Sequence, residues 1–423
     1  MNDPAVDSAR VTAQRARATL FALTGALLMF GLFFVLDSSS VTAQRLYGSP
    51  FTYFYRQVVW VGVGVIAMLI SSRVPYGMWR PFVGPVSLVV WLMLLATDVI
   101  GRTVNGSQRW IGTSFVSFQP SELAKLCLVL LLAAVLTRTH RLVDQPTRML
   151  GPAAAIIVAA GVPIVVHDLG TALVVGGIGL VMLLVTGIPA RYLGRASALG
   201  LFGVVLAVAI EPYRLERVRS FLDPWRRART TGYQATQGLI ALASGQLTGL
   251  GLGASKAKYG YLPAAHTDFI FAIIGEETGL IGAVVVLLMF GAIVWCGLTI
   301  ARTAPDAFGF FVAIGISAWI GMQALINVGA VVGVFPITGV PLPLVSYGGS
   351  SMVVIMAALG LLLNIASAGA GAVPYVTGAT MGAVVEHAQT RISATVRAQN
   401  ARRAGEAAAV DMSDEIDSTL ADS

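Results

Sequence analysis

Charge is scarce in this chain. Only 12% of its 423 residues are Asp, Glu, Lys or Arg, while 56% are apolar, a balance that excludes an ordinary soluble domain and a disordered chain alike. Cysteine is scarcer still. Cys127 and Cys296 both sit in apolar runs, which excludes a disulfide framework and leaves two packing thiols. The four histidines show no ligand spacing, and no P-loop, zinc or dinucleotide motif occurs. Nor is there an internal repeat of the kind that marks the related halves of many transporters. The first apolar run is too long for a cleaved signal and lacks a small-residue cleavage site, so it is expected to remain as an anchor.

What the chain has in excess is long hydrophobic runs. About ten candidate spans are expected, at 20–36, 57–72, 81–101, 121–137, 150–167, 170–188, 192–210, 269–301, 307–334 and 347–368. The fold class is therefore an all-α polytopic membrane protein, with a long extracytoplasmic loop, 211–268, between the seventh and eighth spans. Residues 1–18 read as a cytoplasmic tail, 19–368 as one membrane domain, and 369–423 as a disordered cytoplasmic tail. Basic residues set the orientation. Arg10, Arg15, Arg17, Arg73, Arg80, Arg138, Arg141, Arg148, Arg191, Arg195, Arg302, Arg391, Arg397, Arg402 and Arg403 fall on one side. The opposite short loops hold Arg45, Arg56, Arg102 and Arg109. Both termini are thereby placed in the cytoplasm.

Against this apolar background each charge calls for a reason. Thr267 and Asp268 open the span at 269–301, at its cap or first turn, where the helix dipole favours an ionised carboxylate suited to act as a base. Glu276 and Glu277, two turns deeper, read as structural pairing groups. Glu122 and Lys125 share a helix face at i, i+3 after Pro120 and the cap residue Ser121. Asp168, at matching depth on the next span, is the expected partner of Lys125, either as a structural salt bridge or as part of the chemistry. Arg109 beside Trp110 suits phosphate recognition or, for the Trp, anchoring in the aromatic belt. Ser346-Tyr347-Gly348-Gly349 opens the last span, where backbone N–H groups could receive an anion or the glycines merely ease packing. The segment 213–229 interleaves cations with apolar and aromatic residues. It is expected to lie along the outer interface, as a headgroup anchor or a cationic shelf.

Five blocks, in order, carry a family resemblance. They are Asn105-Gly106 with Arg109-Trp110-Ile111; Phe118 through Lys125; Asp168-Leu169-Gly170-Thr171; Leu262-Pro263 with His266 through Ala272; and Gly339 through Ser350. The chain resembles the SEDS (shape, elongation, division and sporulation) proteins, the family of the FtsW and RodA peptidoglycan glycosyltransferases. The resemblance places the family's essential acid on Asp268 and its polar intramembrane cluster on Glu122, Lys125 and Asp168. His167 departs from the proline usual before that aspartate.

The resemblance implies an inverting polymerase of lipid II, working on the outer face of the cytoplasmic membrane. Asp268 would be the base, with pyrophosphate charge met by Arg109, Lys256 and Lys258, and by Arg214 and Arg217; His266, Ser346, Gly348 and Gly349 complete the expected cavity. The chemistry admits a divalent cation, Mg or Mn, for which the sequence offers no ligand cluster. Expected partners are lipid II, a class B penicillin-binding transpeptidase, other divisome proteins and membrane lipids, and no nucleic acid. Ile273-Ile274-Gly275-Glu276-Glu277 resembles division members more than elongation members, which points to the septum. An elongation-type polymerase, a lipid II flippase and a non-catalytic division scaffold remain as alternatives.

Overall fold

The ten apolar runs form ten helices in the computed structural model, which describes residues 4–104, 107–112, 117–139, 146–372 and 375. The expectations for Asn105, Gly106, Arg141 and the tail beyond Tyr375 lie outside the described residues. The helices are α1 (Pro4–Tyr47), α2 (Thr52–Arg73), α3 (Val83–Ile100), α4 (Pro120–Thr139), α5 (Pro146–His167), α6 (Leu169–Leu184) and α7 (Ala190–Ile210). After two short helices, α8 (Pro212–Leu222) and α9 (Tyr233–Gly245), come α10 (Ile270–Thr303), α11 (Ala307–Val331) and α12 (Gly349–Gly369). Among the described residues seven helices are long and apolar enough to cross a membrane, and α3, α5 and α6 contribute shorter apolar segments. α1 is 44 residues long, about 66 Å at 1.5 Å per residue. It takes in residues 4–18 of the expected tail, so no structural break separates them from the first span.

Ion pairs and hydrogen bonds sort the connections into two ends. At one end Arg109 meets Asp168, Arg217 reaches the carbonyl of Ile337, and Tyr53 packs against His266 and, edge to face, against Tyr347. At the other, Tyr76 donates to Asp306, Asn364 bridges Ser72 and Tyr76, and Tyr375 N–H donates to Ala304. Consecutive helices therefore alternate in direction. α11 and α12 are the most enclosed, with Trp319 fully buried. α7 buries none of its residues and exposes Leu199, Leu201, Phe202 and Val205, as suits a helix facing lipid.

Two features go beyond a plain helical bundle. Between α3 and α4 lies a small antiparallel sheet in the order β1 (Arg102–Val104), β2 (Ser107–Gly112), β3 (Ser117–Phe118). Its backbone pairing fixes the level at which Arg109 leaves β2. The second feature is a break in α10 at Gly279, where φ is 67° and ψ −167°. Four backbone groups lose their helical partners there, and a loop satisfies all four. Leu250 and Gly251 N–H donate to the carbonyls of Glu276 and Glu277 at 3.0 and 3.1 Å. Leu280 and Ile281 N–H donate to Gln246 and Leu247 at 2.9 and 3.2 Å. A backbone polar group left alone in this setting would cost several kcal/mol, so the Gly-rich loop after α9 is effectively spliced into the helix.

Candidate active site

Asp268 sits on a tight turn rather than in a helix. Ala264, at φ 55°, offers its carbonyl to the N–H groups of Thr267 and Phe269 and to the Thr267 hydroxyl. α10 begins at Ile270 with Phe269 as its cap residue, so Asp268 stands just outside the helix. Its own carbonyl accepts from Asn327 Nδ2 on α11 at 2.8 Å, and the same amide donates to Val340. Gly339, at φ 75°, backs onto the carboxylate. Asp268 thus lies one residue before the expected cap or first turn, and burial rather than the helix dipole sets its basicity. Burial pushes the half-buried Asp268 up to about 6, nearby Asp168 adds to the rise, and Arg217 and Arg109 oppose it.

Asp168 is the second carboxylate. It caps α6, accepting from Thr171 N–H at 2.9 Å, and its other oxygen binds Arg109 Nη1 at 3.0 Å. The third element is α8. Arg217 lies against the Tyr213 ring at 4.7 Å and donates to the Ile337 carbonyl at 3.1 Å, which leaves its charge to act on Asp268. Beyond Arg217 a cavity of about 270 Å³ opens, lined by Phe221, Gln234, Leu239, Phe335 and Ile337 among others. Arg214, by contrast, is engaged by the carbonyls of Ala207 and Val166. Two carboxylates and two guanidiniums from β2, the α5–α6 turn, α8 and the start of α10 thus meet at one end of the bundle. They can hold a basic carboxylate beside an anion.

The expected pairing of Lys125 with Asp168 is not found. Lys125 is fully buried and donates to Glu122 at 2.7 Å and Gln323 at 2.9 Å, with its ammonium 5.2 Å from the Trp319 ring centroid. The physical reason is proximity. Glu122 is one turn away on the same helix, and Gln323 accepts from both Lys125 and Trp319, so the ammonium is satisfied while Asp168 turns to Arg109.

Lys258 is corrected too. It is buried, and it donates to Asp37 of α1 at 2.6 Å, Glu277 of α10 at 3.2 Å and the Gly253 carbonyl at 2.7 Å. Burial pulls this ammonium down, but Asp37 and Glu277 outweigh it and hold it above its ordinary value. A cation so committed is not offered to a pyrophosphate. Lys256 is exposed. Glu276 and Glu277 are structural, as expected: they accept from the backbone N–H groups of Lys256, Ala257, Gly253 and Ser255. Ser255 and Lys258 have Ser-x-x-Lys spacing, but the buried Ser255 hydroxyl donates to Glu276 and is no nucleophile.

His266 packs between Tyr53 and Tyr347, with ring centroids at 4.6 and 5.7 Å, and burial pushes its imidazole down to about 4. It is a neutral packing group near neutral pH. The anion-receiving reading of 346–349 also changes. Tyr347 N–H donates to the His266 carbonyl, Gly348 N–H to Gln57, and the Ser346 hydroxyl to Thr267, while Gly349 lies against Trp60. These groups lock the Asp268 turn to the entry of α12. Sequence reasoning missed Asn327, Gln323, Gln57 and Asp37. Gln323 and Asn327 are polar residues inside an apolar run, and Gln57 and Asp37 stand at the edge of one, which was the available signal.

Fold and site together define a multi-pass helical membrane protein with a carboxylate–arginine centre at one end of its bundle. Residues 17–370 match the cell cycle protein family of FtsW, RodA and SpoVE, and the chain belongs to that family. It is 39% identical to stage V sporulation protein E of Bacillus subtilis, over 82% of this chain and 95% of that one. Identity to the probable peptidoglycan glycosyltransferase FtsW of Coxiella burnetii is 38%, over 81% and 94%. Among solved structures it resembles one described as structural coordination of polymerization and crosslinking by a peptidoglycan synthase complex. That match has a TM-score of 0.66 and 30% identity, over 82% of this chain and 96% of that one. The rod shape determining protein RodA of Thermus thermophilus gives 0.60 and 26%, over 82% and 95%.

Proposed function

We propose that this chain is a division-type peptidoglycan glycosyltransferase that polymerises lipid II on the outer face of the cytoplasmic membrane. The observation that carries the reading is Asp268, held beside Asp168, Arg109 and Arg217 at the end of the bundle that receives the 211–268 segment. The Asp268 carboxylate takes the proton of an acceptor sugar hydroxyl. That oxygen forms a bond to the anomeric carbon of the donor while the bond to pyrophosphate breaks and its electron pair leaves with the phosphate. Attack opposite the leaving group inverts the anomeric centre. Pyrophosphate asks for charge stabilisation rather than a proton, which Arg217 supplies from the wall of the cavity, while Arg109 holds Asp168. Among the described residues no three metal-ligating side chains gather, and no step is routed through a divalent cation.

The division type is favoured by curated relatives named FtsW and SpoVE at 38–39% identity, against 26% to the solved RodA. In this reading both termini are cytoplasmic, 19–368 is the transferase domain, 369–423 is a tail, and a class B transpeptidase is the partner. The test is purified chain, with and without that partner, given labelled lipid II. Glycan strands resolved on a gel support polymerisation, movement of lipid II across a vesicle bilayer without polymer supports a flippase, and neither supports a scaffold.

A further inference from the structure

The Lys258 clasp and the break in α10 meet at one place, with Glu277 two residues before Gly279. Asp37 comes from α1, Lys258 from the 3₁₀ turn Ala257–Tyr259, and Glu277 from α10 just before Gly279. Lys258 is 5% exposed and the Glu277 side chain is fully enclosed. Meanwhile Glu276 and Glu277 gather four backbone N–H groups from 253–257, and the loop 246–251 replaces the helical hydrogen bonds lost at Gly279. The segment of α10 before the break, Ile270–Thr278, is therefore tied sideways to α1 and to the extracytoplasmic loop as much as lengthwise to Leu280–Thr303. Asp268 is attached to the near end of that segment.

We propose that Lys258, through Asp37 and Glu277, is a positioning residue that sets the Asp268 turn independently of the remainder of α10. This rests on the reading of Asp268 as the base. Three carboxylates, Asp37, Glu276 and Glu277, are brought together by one loop. With Lys258 neutral, two of them are left buried without a counter-charge, and the segment before the break relaxes around Gly279 because no continuous helical ladder resists it. Beyond the break α10 packs on α11, with Gly297 against Ser317 and Val294 against Gly321, and supplies no side chain to the clasp.

The experiment compares Lys258→Met and the milder Asp37→Asn with the unaltered chain, in complex with its transpeptidase. Hydrogen–deuterium exchange is expected to rise about ten-fold at 266–278 while 280–303 is unchanged. Turnover of lipid II is expected to fall at least ten-fold, with the concentration for half-maximal rate within about two-fold. The double variant Asp37→Asn/Lys258→Met is expected to lose no more than Lys258→Met alone, as for residues acting through one contact network. Equal acceleration in both segments would mean general destabilisation and overturns the proposal, as does unchanged exchange at 266–278 or undiminished turnover. If the unaltered complex makes no glycan, the assignment of function fails, while the exchange pattern still decides whether the clasp holds the segment before the break.

Discussion

At the scale of single residues, burial and partner choice decide what each charge can do. Asp268 is a stronger base than a surface aspartate because burial and Asp168 raise it to about 6. Ionised carboxylate is the working form, so polymerisation is expected to fall as pH drops through about 6 and to level off above it. A rate profile on purified complex checks this, and an acid limb near 4 would place the base in water instead. Asp268→Asn keeps the shape and removes the basicity, with an expected loss of about a hundred- to ten-thousand-fold in glycan synthesis. Lys125 offers a test of partner choice. Lys125→Met orphans the buried Glu122, a loss of about 3–5 kcal/mol for a broken buried pair. Glu122→Gln/Lys125→Met should recover much of that melting temperature, whereas exchanging charges between Lys125 and Asp168 should recover none.

At the scale of elements, the sequence showed helices more readily than the joints between them. Ten apolar runs were legible because membrane helices need long stretches without charge. The break at Gly279 was not, since Gly279 falls inside a run that reads as one span and its partners come from Gln246 to Gly251. Asp268 was legible as a charge at a span boundary, yet its raised basicity comes from burial in the folded chain, with Asp168, a hundred residues earlier, adding to it. Lys258 was misread for a similar reason: in sequence it looks like a loop cation, and Asp37 and Glu277 are brought to it only by folding. The splice makes a graded prediction for two nearby glycines. Both have positive φ, 82° at Gly249 and 102° at Gly251, but a Cβ on Gly251 meets open space while one on Gly249 collides with the backbone of Glu277 and Gly279. Gly251→Ala should cost only the left-handed strain, about 1–2 kcal/mol. Gly249→Ala should lower the melting temperature in detergent substantially further, because the Glu277 carbonyl must give up its partner.

At the scale of the molecule, the polar contacts fix which loops share an end, and that fixes the topology to be tested. Ten crossings with cytoplasmic termini put 74–82 and Ser8 inside and 211–268 outside, in keeping with the arginine distribution. The chain suits cysteine labelling, because its two native thiols, Cys127 and Cys296, are each 4% exposed within helices and give little background. Thr230 and Leu252 are exposed in the 211–268 segment, and Ser8 and Met78 are exposed at the opposite end. In intact cells a membrane-impermeant maleimide is expected to label Thr230→Cys and Leu252→Cys, and to reach Ser8→Cys and Met78→Cys only after permeabilisation. Seven crossings by the longest helices alone would instead place the two termini on opposite faces, and would strand α3, α5 and α6 at the interface. Under ten crossings the Arg109–Asp168 pair ties the α3–α4 and α5–α6 connections together at one end of the bundle. Labelling of Ser8→Cys in intact cells would overturn the topology and, with it, the placement of Asp268 on the outer face.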